Sequence, residues 1–477
     1  MENIIQQVVK GTTEKYLEYY ATNGICALDK MAEDFEIISN DMAKQVLKVL
    51  IAQADKAICD AKSERKEDGI AIHERNVQRT LYTALGSFEY ERTYFNSQSG
   101  KVYILDEMLG VKPYERVDAG VSANLVNTAA KYSYARSAGI IAGDEISRQT
   151  AWNKTINTGE VAFVPERTEN TPEIIHIFAD EDHVSLQNGK GAIIPLVTVC
   201  AGKRAVSSGR NELIEPFHVQ GSAMDKDRLW EYVYALCAVK FDMNKVKEVC
   251  LYGDGATWIK GGLDIFENAK YLLDAFHYKK RMRSLFSGEV GSKFVLKANV
   301  AVAQNDKTAF TEVAHTMLAM DIDNMQEGKR RERKIKRTKE DIGYILNHWD
   351  AIQNTKLPES IGSCTEAMVS HVLSERFSRN PMGWSKKGLS KLAMIRVYVL
   401  NGCKVEPADT VAWKHSGKKH RVIKKIEKYE NIVNLQHNEI FNDVKNWRWF
   451  EKDNKISGKT TGTKVALDSI TKLKKVS

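Results

Sequence analysis

The sequence predicts a mixed α/β core that is interrupted by a basic helical segment and preceded by a mainly helical region. Residues 174–276 contain apolar runs typical of buried strands and one long amphipathic helix. Residues 278–357 contain no convincing strand pattern, and residues 1–165 are mainly helical. Because 477 residues are too many for one hydrophobic core, we expect about three domains.

The composition is that of a folded protein with an ordinary core, 43% hydrophobic and 28% charged. The net charge of +8 and the isoelectric point near 8.8 favour a polyanionic partner. None of the seven cysteines forms a Cys-x-x-Cys pair, which argues for a reducing compartment and against a zinc ribbon or disulfide scaffold. The chain begins without a signal-peptide pattern, and no uncharged apolar run reaches the roughly 18 residues of a membrane span. We therefore expect a cytoplasmic protein with no membrane partner.

The predicted N-terminal region covers residues 1–165. "VQRTLYTALGSFEYERTYF" (77–95) alternates apolar and polar residues around one Gly-Ser turn, which predicts a β-hairpin. Residues 134–156 have the pattern of a helix-turn-helix, with a turn at 143–145 and a second helix that starts near Ser147. A plain helical hairpin is the alternative, and both stay open. In the DNA-reading version the contact residues are Ser147, Arg148, Gln149, Thr150 and Asn153.

The first part of the predicted core covers residues 166–277 and follows a polar boundary with two prolines at 164–173. Three strands are expected first, at 174–186, 192–202 and 213–221, followed by a helix at 225–241. A strand at 248–255, a short helix at 258–269 and a strand at 269–276 are expected next. This order is expected of a ribonuclease-H-like core, although other α/β folds could use part of it.

A basic helical insertion is predicted over residues 278–357, because one further helix, 365–378, follows it within the last part of the core, 358–405. The insertion contains "GKRRERKIKRTKE" (328–340), with eight Lys and Arg residues. Such a run favours contacts with DNA phosphates. The contacts expected there are Lys329, Arg330, Arg331, Arg333 and Lys334.

The remaining region, residues 406–477, is a basic C-terminal tail. Its segment 413–430 holds seven Lys and Arg residues interleaved with Trp413 and Tyr429. Low apolar density and high charge predict a solvated or nucleic-acid-ordered segment.

Three acids occur where such a core would bring them together. Asp180 lies inside the first strand, Asp254 ends the fourth, and Glu366 begins the helix after the insertion. A carboxylate in an apolar strand is costly unless a cation or hydrogen bonds compensate it, and acids on adjacent strands repel. A divalent metal is the simplest compensation, and Mg²⁺ prefers carboxylate oxygens and can act as a pair of ions in phosphodiester cleavage. The glycines on both sides of Asp254 indicate that something large, such as DNA with its metal, approaches closely.

Each acid also has an ordinary structural interpretation. "GDG" is most often a turn, and Glu366 occupies a position where acids complement the helix dipole. Strand alternation puts Asp180 and Asp182 on one face and Glu181 on the other, so the choice between Asp180 and Asp182 stays open. The joint placement of the acids favours a metal site more than any one of them does.

Several stretches together resemble the ISLre group of bacterial insertion-sequence transposases, in the Mutator-like branch of the DDE transposases. They are "FADEDHVSLQ", "LYGDGATWIK", "LLDAFHYKKRM", "CTEAMVSHVLSERFSRNPMGWSKKGLSKLAMIR" (364–396) and "HERNVQRTLYTALGSFEYERTYF" (73–95). The resemblance covers nearly the whole chain, and ordered motifs are more specific than any single one.

The resemblance implies a ribonuclease-H-like fold with a helical insertion between the second catalytic aspartate and the glutamate. By position, Asp180, Asp254 and Glu366 match the three catalytic, metal-binding acids, and residues 274–277 match an Asp/Cys-x-x-His signature. The implied activity is cleavage of DNA at terminal inverted repeats and strand transfer to target DNA, with two Mg²⁺ ions for which Mn²⁺ substitutes. A homodimer or larger assembly on DNA, in the bacterial cytoplasm at the nucleoid, is also implied.

Supporting roles are assigned to side chains near these motifs. Asp274 and His277 are expected to end a strand beside the three acids, where they would either orient the metal-binding acids or contact DNA. For His277 a purely structural role is the alternative. Trp258 either stacks on a base or packs in the core, and Arg376 is expected to reach a phosphate.

The main rival function is a catalytically inactive or domesticated transposase-derived DNA-binding protein, although all three acids are present. Another metal nuclease on the same fold would need neither the helix-turn-helix nor the insertion. A small-molecule hydrolase is disfavoured by the basic tail.

Overall fold

A computed structural model describes residues 2–98, 100–323, 325–380, 382–410 and 426–434. The chain divides into two compact units. The first contains the residues up to Asp118 and the described C-terminal helix 426–434, and the second contains residues from Ala119 to Ala412. The helices after Ala119 thus belong to the unit that contains the sheet described below, whereas the sequence suggests a boundary near residue 165.

The elements of the first unit are α1 Glu2–Asn23, α2 Leu28–Asp60, α3 Lys62–Glu67, β1 Ala71–Thr83, β2 Gly86–Ser97, β3 Gly100–Val102 and α4 Ile104–Met108. Strands β1 and β2 pair antiparallel, so the predicted hairpin is confirmed. Apolar side chains of α2, the hairpin and α4 form the core, in which Ile58, Phe95 and Leu105 are fully buried.

The helix at 426–434 contributes Tyr429 to this core. The ring is buried, and its hydroxyl donates a hydrogen bond to the carboxylate of Asp68 (3.1 Å). Within the segment 413–430, predicted to be solvated or ordered by nucleic acid, Tyr429 is instead buried in this core. Trp413 and most of the predicted basic tail lie outside the described residues.

The second unit begins with three helices, α5 Ala119–Ala129, α6 Tyr134–Ala142 and α7 Arg148–Asn157. Its sheet elements are β4 Ile174–Ser185, β5 Gly191–Cys200, β6 Gly202–Ser207, β7 Arg210–Ile214, β8 Phe217–Gln220, α8 Lys226–Lys240, β9 Glu248–Gly253, α9 Thr257–Lys260, α10 Gly262–Ile265 and β10 Ala269–Leu273. The remaining helices are α11 Ala275–Leu285, α12 Gly288–Ala303, α13 Lys307–Asp323, α14 Lys329–Asn347, α15 Trp349–Asn354, α16 Thr365–Val369, a π-helical turn Ser370–Ser374, α17 Glu375–Phe377, α18 Lys386–Leu400 and α19 Pro407–Thr410.

Five strands form one mixed sheet in the order β10-β9-β4-β5-β8. Strands β4, β5 and β8 pair antiparallel, whereas β9 lies parallel to β4 and β10 parallel to β9. The predicted strand 213–221 is divided between β7 and β8, because Glu215 has a positive φ of 48° and Pro216 has no amide proton to donate. Strand β7 pairs instead with β6 in a separate two-stranded ribbon.

The two faces of this sheet pack against different helices. Odd-numbered residues of β4, such as Ile175 and Ile177, join the core formed with α8 and helices α11 to α15. Even-numbered residues, such as Phe178, pack with Tyr252 and Leu272 on the opposite face. The alternation predicted for this strand is confirmed, and it puts Asp180 and Asp182 on the same face as Phe178.

The helical insertion begins three residues earlier than predicted. The expected strand 269–276 ends at Leu273, because the Asp274 side chain caps the first turn of α11. Thr365 to Phe377 are helical as expected, but a π-helical turn occupies the middle of this segment.

Candidate metal centre

Three aspartates lie just beyond the points where the parallel strand pairings end, Asp254 and Asp274 after β9 and β10 and Asp180 inside β4. The pairing of β4 with β9 ends with Phe178 opposite Tyr252. Asp180 lies two residues after Phe178, and Asp254 lies two residues after Tyr252. The pairing of β10 with β9 ends with Leu273 opposite Gly253, and Asp274 follows directly. Because the three strands are parallel and adjacent, these positions lie at the same end of the sheet.

One group of metal-type ligands is compact among the residues that the structure describes. It comprises Asp180, Asp274 and His277, each of which offers a ligand atom within 4.8 Å of the others. Asp180 and Asp274 are buried, and His277 is partly buried. Sequence reasoning assigned the last two to the surroundings of the site, whereas the structure brings them into direct range of Asp180.

Asp274 is held in a fixed orientation. One carboxylate oxygen accepts a hydrogen bond from the main-chain N–H of Phe276 (2.9 Å), which caps α11. The other oxygen accepts a hydrogen bond from the hydroxyl of Thr365. Sequence reasoning missed Thr365, for which its position beside Glu366 was the only signal. The carboxylate therefore links α11 to the helix that contains Glu366.

His277 provides the clearest sign that the group fits a cation. It lies on α11, one turn after Asp274, whereas the sequence predicted that it ends a strand. Its Nε2 atom is buried and has no hydrogen-bond partner in the described structure. A buried polar atom without a partner is costly, and coordination of a metal ion would satisfy it.

Asp254 and Glu366 are not members of the compact group, but their charges reach Asp180. The pKa of Asp180 is raised from its ordinary value to about 7, chiefly by burial and to a smaller extent by the charges of Asp254, Glu366 and Glu181. Asp254 is half-buried, and Glu366 is exposed in the first turn of α16. Of the three predicted acids, Asp254 and Glu366 thus lie close enough for their charges to act on Asp180, and a cation would relieve this repulsion.

Asp182 has different partners from Asp180. Its carboxylate accepts hydrogen bonds from the hydroxyls of Ser374 (3.0 Å) and Ser378 (2.9 Å). Burial raises the pKa of Asp182, and the two serine hydroxyls oppose that rise. Of the two alternatives left open by the sequence, Asp180 is therefore the better candidate, because Asp182 is already satisfied by α17 and the π-helical turn.

The loop of Asp254 is packed against the helical insertion. Gly255 has a φ of +99°, and a side chain there would overlap the Nε2 atom of His348. At Gly253 a Cβ atom would lie 2.7 Å from Ile259. The side chains of the protein thus suffice to require these glycines, and clearance for DNA and metal stays a prediction.

Trp258 contacts other residues of the protein. Trp258 donates a hydrogen bond from its indole N–H to Glu181 and stacks on Trp230, with ring centroids 6.4 Å apart. This arrangement supports the core-packing alternative for Trp258.

The phosphate contact expected of Arg376 is wrong, because the side chain is only 3% exposed. Its Nε atom donates to the carbonyl of Ala129 (2.9 Å), and its guanidinium lies over the rings of Tyr134 and Trp384. Arg376 is thus a buried link between α17 and the helices that precede the sheet.

The predicted helix-turn-helix segment consists of two helices, α6 and α7. Ser147 is the N-cap of α7, where its hydroxyl accepts a hydrogen bond from the N–H of Thr150 (3.2 Å). The other candidate contacts Arg148, Gln149 and Asn153 are exposed on α7. In the basic run, Lys329, Arg330 and Arg333 are exposed, while Arg331 pairs with Glu327 and Lys334 pairs with Asp321.

Comparison with known proteins identifies the family. Residues 21–415 match "Uncharacterised protein family (UPF0236)". A UPF0236 protein of Caldanaerobacter subterraneus subsp. tengcongensis is 31% identical over 407 residues, which cover 84% of each chain. Another from that bacterium is 33% identical over 370 residues, or 76% of this chain and 77% of the relative. The chain belongs to the UPF0236 family.

The family occurs in several copies in that bacterium. The name of a further relative, 31% identical over 408 residues, joins eleven locus designations. Among the residues that the structure describes, no helix is long and apolar enough to cross a membrane.

Proposed function

We propose that this protein is a DDE transposase, which cuts DNA at the ends of a bacterial insertion sequence and joins them to target DNA. The observation that carries the proposal is the compact group of Asp180, Asp274 and His277, with Asp254 and Glu366 close enough to affect the pKa of Asp180. Acids so arranged suit divalent cations and phosphodiester chemistry.

A ribonuclease-H-like core is part of this proposal. Three strands, β4, β5 and β8, form an antiparallel meander, and β9 and β10 then extend the sheet in parallel on the other side of β4. Helix α8 precedes β9, and the short helices α9 and α10 precede β10. This order supports the proposed fold, and the helical insertion falls between Asp254 and Glu366, where the resemblance requires it.

In the proposed site Asp180, Asp254 and Glu366 would hold two Mg²⁺ ions, and Asp274 and His277 would supply further ligand atoms. When bound, such ions stabilise charge on phosphoryl oxygens and lower the pKa of an attacking water or hydroxyl. Thr365 keeps the Asp274 carboxylate oriented, and the sheet edge keeps Asp180 away from bulk water. In-line displacement at phosphorus needs no nucleophilic side chain, so none is assigned.

DNA recognition is proposed for exposed polar and basic side chains. On α7 they are Ser147, Arg148, Gln149 and Asn153, which would read the terminal inverted repeats. On α14, exposed Lys329, Arg330 and Arg333 would bind backbone phosphates, whereas the ion-paired Arg331 and Lys334 contribute less. Because two DNA ends must be processed together, we propose at least a homodimer on DNA.

The copy number within one genome supports a mobile element. A relative whose name joins eleven loci is what repeated insertion of one sequence would produce. The alternative function, an inactive DNA-binding derivative, would account for DNA affinity but not for the retention of every acid at the site.

The test is an in vitro assay with labelled DNA from the flanks of the gene that encodes this chain. Purified protein with Mg²⁺ is expected to nick this DNA and to form strand-transfer products. Asp254→Ala should abolish both products, whereas Asp264→Ala, which removes an exposed acid of α10, should leave them. No product from the wild type, or equal activity of Asp254→Ala, would refute the catalytic proposal and leave the DNA-binding alternative.

A further inference from the structure

A cationic pocket borders the candidate metal centre. Its volume is about 630 Å³, and four cations line it together with His277 and Ser284. The cations are Lys280, Arg281, Arg283 and Arg337. Arg337 belongs to the basic run 328–340, whereas Lys280, Arg281 and Arg283 lie outside it, and none of the four is among the DNA contacts expected from the sequence.

Helical periodicity explains why these side chains meet. His277, Arg281 and Ser284 follow one another at intervals of four and three residues on α11, so they lie on one face of the helix. Lys280 adjoins the same face, and Arg337 reaches the pocket from α14. The side chains of "HYKKRMRS" (277–284) that line the pocket thus form one basic wall of it, which begins beside the candidate metal centre.

Two of the guanidinium groups are held in place by one buried acid. Asp341 is 1% exposed and accepts hydrogen bonds from Arg281 (2.9 Å) and from the hydroxyl of Ser284. Ser284 in turn accepts a hydrogen bond from Nε of Arg337 (2.9 Å). Arg281 also lies over the ring of Tyr344, 4.7 Å from its centroid. The arginines are therefore pre-oriented, which lowers the entropic cost of binding an anion.

The charge balance of the pocket favours an anionic ligand. Asp341 neutralises one of the four cations, and Lys280 and Arg283 are exposed. Planar guanidinium groups match the oxygens of a phosphate, and a row of cations along a helix matches a chain of phosphates. His277 belongs both to this wall and to the group with Asp180 and Asp274, so a polyanion in the pocket would continue into the centre.

We propose that this pocket binds the phosphodiester backbone of the DNA substrate immediately beside the scissile position. This inference rests on the proposed function, since DNA is taken as the polyanion. It adds Lys280, Arg281, Arg283 and Arg337 as residues that position the strand and do not take part in the chemistry.

The first experiment measures DNA affinity without cleavage. The full chain in EDTA is titrated onto a fluorescein-labelled duplex of roughly 30 base pairs at several salt concentrations. The double variant Lys280→Ala/Arg283→Ala should raise Kd about tenfold and reduce the slope of log Kd against log salt by about 1 to 2. The control pair Lys279→Ala/Lys336→Ala removes the same charge from exposed positions on α11 and α14 outside the pocket and should change Kd less than about twofold.

Equal losses from both pairs, no loss from either, or no DNA binding by the wild type would overturn the inference. A pocket-specific loss for duplex RNA but not for DNA would also overturn it. If the pocket-specific loss on DNA is seen while the wild type shows no cleavage with Mg²⁺, the pocket stands and the catalytic proposal fails.

A second experiment avoids variants. Lysines of the wild-type chain are acetylated with and without DNA, and mass spectrometry compares the modification of Lys280 with that of its neighbour Lys279. DNA should protect Lys280 about fivefold more than Lys279, because the pocket would remove its amine from solvent. Equal protection of both lysines would contradict the proposal.

Discussion

The hydroxyl of Tyr344, in the helical insertion, donates a hydrogen bond to the main-chain carbonyl of Asp254 (2.5 Å). The carbonyl of Tyr344 accepts from Nδ1 of His348 (2.8 Å), and the two rings lie with centroids 4.6 Å apart. His348 in turn packs against Gly255. The insertion is therefore directly connected to the loop that presents the central catalytic acid of the proposed site.

Removal of the Tyr344 hydroxyl should affect the chemical step more than DNA binding. Tyr344→Phe leaves the ring in place but frees the Asp254 loop, so we expect kcat to fall about tenfold, KM for DNA to stay within about twofold, and stability to fall by about 1 kcal/mol. Tyr278→Phe removes a hydroxyl elsewhere in the insertion and is the control. Single-turnover cleavage and urea unfolding provide the measurements, and a loss confined to KM would count against this role.

Substitution of Gly255 should destabilise the second unit for two separable reasons. Gly255→Ala places a side chain on a residue with φ of +99° and against His348, so we expect a loss of roughly 2–4 kcal/mol. Adding His348→Ala should recover the steric part but not the backbone part. Gly343→Ala, within α14 with open space around it, should instead gain roughly 0.5–1 kcal/mol. Urea unfolding distinguishes these cases, and a double variant no more stable than Gly255→Ala would exclude the clash with His348.

Stability should depend on pH through Asp180. Its pKa in the folded protein is about 7, above the ordinary 3.8, so the folded state holds the proton more tightly. The stabilisation that protonated Asp180 contributes is complete below about pH 4 and is lost as the pH rises through about 7. In EDTA near pH 8, Asp180→Asn should therefore be more stable than the wild type by roughly 1–3 kcal/mol, and the difference should shrink near pH 5.

Mg²⁺ should reduce the advantage of Asp180→Asn near pH 8, since a bound cation stabilises the wild-type carboxylate. Thermal unfolding across pH, with and without Mg²⁺, measures both effects. A stability difference between Asp180→Asn and the wild type that is the same at every pH would show that the surroundings do not destabilise the Asp180 carboxylate.

His277 should discriminate between metal ions. A ring nitrogen is a better ligand for transition-metal ions than for Mg²⁺, and its Nε2 atom has no other partner in the described structure. We expect His277→Ala to weaken Mn²⁺ binding about tenfold and Mg²⁺ binding less than about threefold. His315→Ala, an exposed histidine of α13, is the control for calorimetric titration. Equal effects of His277→Ala on both ions would remove His277 from the ligand set.

Local patterns predicted most strands of the sheet and the positions of Asp180 and Asp254 in or after them. Alternation through Phe178 and Asp180 gave the correct faces of β4, and strand ends gave Asp254, because both signals depend on neighbouring residues only. The extent of the strand after Asp274 was overestimated, since apolar Phe276 continues a strand pattern although the aspartate caps a helix. His277 was therefore placed in the wrong element, and its position beside Asp180 was not predictable.

Contacts between distant segments could not be predicted. His348 against Gly255 joins residues far apart in the chain, and no local pattern encodes their meeting. Arg376 was expected at the surface because arginine is usually exposed, yet it is buried, with its Nε atom donating to a carbonyl and its guanidinium over two aromatic rings. The serine partners that separate Asp182 from Asp180 likewise depend on a π-helical turn that leaves no clear sequence signal.

The central claim, a divalent-cation site built around Asp180, is tested most directly by Mn²⁺ titration followed by electron paramagnetic resonance. Near pH 8 the wild type should bind Mn²⁺, and Asp180→Asn should weaken binding about a hundredfold, because one buried ligand and its charge are lost. Asp264→Asn, which changes an exposed acid, should bind like the wild type. Unchanged Mn²⁺ binding by Asp180→Asn, or no binding by the wild type, would contradict the account.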